Sequence, residues 1–176
     1  MNIFVLKLIS FLIILILFTF AIISCGKNNT HPRTSLNNFL HHIESDNFGN
    51  MELTIYYGEL VILSRTPITV AQFMDMAYEH SISVDGDRLR GYEELLKRFA
   101  NMELSPVARQ SEIDVRVYYV FEYNNEVILD IAMWGHRNTN VFVNGREFEW
   151  NDVFIDVIEP FLPEEKVARL RVYVGD

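Results

Sequence analysis

Few side chains in this 176-residue chain are placed to do chemistry. Asp130 is the most pointed, because Leu129 and Ile131 flank it in a run that alternates like a central strand. A carboxylate there is costly unless it is paired. A two-residue turn at Asn124-Asn125 sets Tyr119 opposite Asp130 and Phe121 opposite Ile128. The Tyr119 hydroxyl is then the expected donor, with Arg116 on the other hairpin face. Asp130 and Tyr119 read first as a structural pair, and second as a ligand-contacting or acid–base site. Trp134-Gly135-His136-Arg137 closes the same hairpin. An aromatic ring, an imidazole and a guanidinium at one bend suit an anionic or aromatic ligand. The plainer reading wedges Trp134 into the core beside a solvated His136-Arg137 turn.

Other constellations fall short. His31, His41 and His42 lie near the chain start, and adjacent histidines on a helix point about 100° apart. No metal site is expected from them. Asp85-Gly86-Asp87 hints at calcium, but Leu89 and Arg90 stand where an EF-hand loop needs an acid or amide and then Gly. It reads as a turn into the next helix. His42-Ile43-Glu44 opens like a zinc-deaminase motif, yet the later cysteine pair is missing. No Gly-x-Ser-x-Gly elbow, phosphate-cradling loop or His-Glu-x-x-His helix occurs. No cofactor is implied and no enzymatic activity is expected.

The one thiol is Cys25. It excludes an internal disulfide. It ends a leader in which Lys7 is the only charge and Leu8 to Ile23 is broken only by Ser10 and Thr19. That run suits a signal h-region and is marginal for a span. Ile22-Ile23-Ser24-Cys25-Gly26 resembles the lipobox of bacterial lipoproteins, with Ile22 and Ile23 where Leu and Ala are commonest. The resemblance implies cleavage before Cys25, diacylglycerol on its sulfur, and a cell-membrane protein facing outside the cytoplasm. Two acyl chains, at roughly 0.8 kcal/mol per buried methylene, hold firmly where one does not. An uncleaved signal anchor is the alternative. The expected organisation is residues 1–24 as signal peptide, 25–35 as lipidated Cys25 and flexible tether, and 36–176 as one domain.

Removing Lys7 with the leader leaves 14 basic against 24 acidic residues, a net of −10. So acidic a body is a poor nucleic-acid binder. Apolar residues at 49% and charged residues at 22% exclude a disordered chain.

The elements that must hold these groups read as follows. Leu36, Phe39, Leu40 and Ile43 follow Ser35, a plausible N-cap, at helical spacing. Met51 to Tyr57 alternates as a strand. Thr69 and Gln72 form a capping-box pattern at the start of a helix whose face is Val70, Phe73, Met74, Ala77 and Tyr78. Ser81 to Val84 is a short strand, and Tyr92, Leu95, Leu96 and Phe99 mark a helix over about 91–102. Glu112 to Tyr123 and Glu126 to Trp134 form a long hairpin, apolar on both faces and so covered on part of each. A second hairpin turns at Asn144-Gly145. Asn151 caps a helix that Pro160 ends. Pro163 opens a last helix, with a strand over Arg169 to Val174 as the alternative. The fold class is α+β: a mostly antiparallel sheet built on a long central hairpin, with about four short helices packed on it.

The runs YYVFEYNNEVILDIAMWG, VFVNG and DVIEPFLPEE resemble parts of small lipoproteins of low-GC Gram-positive bacteria. These runs are turns and core positions, so the resemblance implies location and no activity. The leading expectation is a non-catalytic domain tethered through lipid on Cys25 that binds a protein or an envelope component. A hydrolase using Asp130 and His136, or an immunity or inhibitor protein facing a basic toxin, are the alternatives.

Overall fold

The computed structural model describes residues 31–58, 66–77, 80–134 and 139–174. Its sheet has six antiparallel strands: β1 (Met51–Tyr57), β2 (Ser81–Asp85), β3 (Val117–Tyr123), β4 (Glu126–Met133), β5 (Val141–Val143) and β6 (Arg146–Phe148). They run in the order β2-β1-β3-β4-β5-β6. Six α-helices occur among the described residues: α1 (Pro32–Glu44), α2 (Val70–Ala77), α3 (Gly86–Arg90), α4 (Glu93–Ala100), α5 (Val153–Asp156) and α6 (Glu164–Val174). The chain is thus α+β on an antiparallel sheet, with more helices than the four its periodicity suggests. The last segment is helical through Val174 and does not form the alternative strand.

Turn chemistry sets the hairpins. Asn124 and Asn125 take φ of 51° and 64°, and Asn144 and Gly145 take 47° and 71°. Asn and Gly tolerate this left-handed region, which two-residue hairpin turns require. The capping box also forms: Thr69 N donates to Gln72 Oε1 at 3.0 Å, and Gln72 N to Thr69 Oγ1 at 3.3 Å. Asn151 Oδ1 accepts from Val153 N at the start of α5.

Asp85-Gly86-Asp87 opens α3 rather than forming only a turn. The Asp85 carboxylate caps Arg88 N at 2.9 Å. Gly86 is required by close approach, since a Cβ there would lie 1.7 Å from the Phe48 carbonyl oxygen.

Three expectations need correction. First, α1 begins at Pro32 and not after Ser35, with His31 Nδ1 accepting from Arg33 N at 3.3 Å. Pro32 suits a first helical position because its missing N–H has no intrahelical partner there. Ser35 lies inside the helix on its buried face with Leu36, Phe39 and Ile43. The expected tether therefore overlaps the folded domain at residues 32–35.

Second, the long hairpin is shorter at its open end. Residues 112–115 leave the sheet because the backbone before α2 claims them: Val115 N donates to Ile68 O, and Ile68 N to Asp114 Oδ1, each at 2.9 Å. Third, a bulge between Phe121 and Glu122 shifts the register. Phe121 pairs with Leu129 rather than Ile128, Val120 with Asp130, and Tyr119 with Ile131. One extra residue sends Tyr119 and Asp130 to opposite faces, because side chains alternate.

The two faces are packed differently. Leu53, Ile55, Tyr119, Phe121, Leu129 and Ile131 face a core completed by Phe39 of α1, Phe99 of α4 and Phe154 of α5. Phe39 meets Phe121 at 4.5 Å between ring centroids, and Phe99 meets Phe154 edge-on at 6.1 Å. Such pairs add roughly 0.5–1.5 kcal/mol each beyond area burial. The opposite face carries a smaller cluster of Tyr118, Val120 and Ala132 under Ile68 and Phe73.

Candidate functional site

Tyr119 belongs to the core. It is fully buried, and its hydroxyl donates to the Phe154 carbonyl at 2.9 Å. Burial pushes this phenol well above its ordinary range. It holds α5 to the sheet and is no partner for Asp130.

Asp130 sits half-buried on the opposite face, beside Tyr118. Its backbone pairs with the second hairpin turn: Asp130 N donates to Asn144 Oδ1 and Asn144 N to Asp130 O, each at 2.9 Å. Burial pushes the Asp130 carboxyl up. The Tyr118 hydroxyl is raised first by burial and then by the Asp130 charge. Arg116 does not neutralise Asp130, because it pairs with Asp114 at 2.7 Å.

Trp134 is not wedged into the core. It is 41% exposed and walls a cleft of about 290 Å³. Met133 and Phe142 complete the apolar wall, while Ser111, Glu112, Asp114, Thr139 and Asn140 supply polar groups. Asp130 lies four residues before Trp134 along the strand and does not line the cleft. His136 and Arg137 lie outside the described residues, as does Cys25.

Two buried charges set the polar rim. Glu147 of β6 is only 3% exposed. Its carboxylate accepts from the Ser111 backbone N–H and hydroxyl, and from Asn140 Nδ2 at 2.8 Å. Burial alone would raise this carboxyl, but the donated hydrogen bonds outweigh it and hold Glu147 below the usual carboxylate range. It therefore stays ionised and clamps the loop to β5–β6. Arg116, also 3% exposed, donates to Asp114 Oδ1 at 2.7 Å and to the Val115 carbonyl at 2.9 Å. Asp114 Oδ1 also receives Ile68 N, whereas Oδ2 takes no protein partner. Glu112 is exposed and makes no hydrogen bond or ion pair.

Glu112, Asp114, Asn140 and Glu147 were not legible as a site. They come from three separate segments, brought together by the loop that leaves the sheet at residues 112–115. The weak signal was Glu147 itself, two residues past a type I′ turn, at a position whose alternation points into the sheet.

Two other clefts are larger. One of about 690 Å³ at the start of α1 mixes Arg33 and Arg146 with Glu103 and Glu147, so its charges cancel. Glu147 lines this cleft and reaches the Trp134 cleft only through its bonds to Ser111 and Asn140. The other, about 390 Å³, carries Asp85, Glu52 and Glu122, which stand side by side across β2, β1 and β3. No group of three His, Cys, Asp or Glu side chains among the described residues has metal-binding geometry. His41 and His42 have rings 6.1 Å apart, and His42 stacks on Tyr123 at 4.0 Å.

The Trp134 cleft is the better candidate despite its size. It combines a half-exposed aromatic ring with preorganised acceptors that the fold leaves unused, the arrangement that distinguishes small-molecule sites. No protein-family model, no curated protein and no solved structure matches this chain, so the site rests on its own geometry.

Proposed function

We propose that this protein is an extracytoplasmic lipoprotein, anchored in the cell membrane through diacylglycerol on Cys25, whose domain binds an envelope component without transforming it. Cys25 supports the anchor: the only thiol in the chain stands where the apolar leader ends, in a lipobox-like setting. The observation that carries binding is Trp134, 41% exposed over a cleft whose rim is fixed by buried Glu147 and Arg116. An apolar wall beside fixed acceptors recognises a ligand by shape and hydrogen bonding. Asp130 stands apart from this cleft and takes no part in it.

The test is intact-mass measurement of the protein taken from membranes, with Cys25→Ala alongside. The expected result is a chain starting at Cys25 with added acyl mass, absent in the variant. A chain that keeps Met1 and carries no lipid would refute the anchor.

A further inference from the structure

We propose that the Trp134 cleft takes a pyranose ring of a glycan. This rests on the binding reading above for the ligand's source in the envelope, but the chemical class comes from the cleft itself.

The carboxylate oxygens that the fold leaves uncommitted at the rim are acceptors. Both Glu112 oxygens and Asp114 Oδ2 have no protein partner. Ser111 and Asn140 already give donors to Glu147. A ligand that satisfies these carboxylate oxygens must therefore supply donors. Neighbouring hydroxyls of a sugar ring donate to a carboxylate as charge-assisted hydrogen bonds, stronger than neutral ones.

The wall demands something more. Trp134 offers a broad, half-exposed ring, and the partly buried Phe142 lies beside it, with Met133 buried behind. A linear polyol has no flat apolar surface to cover them. A pyranose with equatorial hydroxyls has one, because its axial hydrogens gather on the ring faces while the hydroxyls project from the edge. Such a ring can lie on Trp134 and turn its edge to Glu112 and Asp114. At about 290 Å³ the cleft falls just below the usual range of ligand-site volumes, roughly 300–1,000 Å³. That suits one ring, with a glycan chain continuing into solvent.

An alkylammonium ion is the competing ligand, since Trp and carboxylates also attract cations. Two features count against it. Asp114 is already neutralised by Arg116 at 2.7 Å. Glu112 is exposed, so its charge is screened by solvent.

The test titrates the full-length protein, in a detergent without a sugar headgroup, with cellotetraose, mannitol and choline. Tryptophan emission and calorimetry give the readout. Cellotetraose is expected to shift the emission saturably, and mannitol and choline are expected to do nothing. Trp134→Ala should weaken cellotetraose binding at least tenfold, and Trp150→Phe should leave it unchanged. Glu112→Ala should weaken it about threefold or more; its side chain has no protein partner, so the fold is not at stake. Absence of a saturable response to cellotetraose, equal binding by Trp134→Ala, or tighter binding of choline would overturn the glycan. Acyl mass at Cys25 is read separately, so failure of the anchor and failure of the glycan are distinct results.

Discussion

The two faces of the sheet use polar groups in opposite ways. On the helix-covered face, the buried Tyr119 hydroxyl is spent on the Phe154 carbonyl and the Ser35 hydroxyl on Asn144, amid a large apolar cluster. On the other face, Asp130 lies half-buried without a hydrogen bond to its carboxyl, and Trp134 stands half-exposed at the strand end. The first face holds the fold together. The second tolerates unmet polar groups and an exposed aromatic ring.

This contrast is sharpest in the core. Phe99→Ala removes a ring that contacts Phe39, Tyr119, Phe121 and Phe154. It should cost about 3–5 kcal/mol in denaturant unfolding. A loss below about 1 kcal/mol would remove the distinction between the faces.

Asp114→Ala tests the rim. It leaves Arg116 a buried cation without its carboxylate, so roughly 3 kcal/mol should be lost, somewhat less than for a fully buried pair because the Asp114 side chain is 30% exposed. The expected companion is a large rise in amide exchange at Ile68, whose N–H loses its acceptor.

Asp130→Asn should act the other way and by less, a gain within about 1 kcal/mol at neutral pH. Burial raises the folded-state pKa of Asp130, so the folded state holds its proton more tightly than the unfolded chain. Stability from this group is present below the unfolded carboxylate range and is lost as pH rises through the folded pKa. The advantage of Asp130→Asn should therefore shrink toward zero as pH falls below about 4. A variant less stable than the parent at pH 7 would mean that Asp130 is paired after all.

Much of the fold was readable from residues alone. The capping box at Thr69 and Gln72, the Asn124-Asn125 and Asn144-Gly145 turns, and the alternation of Met51 to Tyr57 are local signals, and each appears as expected. The Tyr119–Asp130 pairing was not readable. Counting from a two-residue turn assumes an unbroken ladder, and the bulge at Phe121 and Glu122 has no mark of its own in the residue types. The start of α1 was hidden because Ser35 has the chemistry of a cap, yet it points inward and accepts from Asn144 Nδ2 at 2.6 Å. Trp134 was legible as a candidate, but its neighbours were not. Glu112 and Asp114 reach it through an irregular loop whose path follows tertiary contacts rather than periodicity, and Glu147 of β6 holds that loop through Ser111.

The most direct test of the contrast is the unfolding free energy of Trp134→Ala. If Trp134 serves a ligand and not the core, the variant should lie within about 1 kcal/mol of the parent, as substitutions outside packed cores do. A loss of about 3–5 kcal/mol, the range of a buried aromatic, would make Trp134 a packing residue and leave the cleft without its central wall.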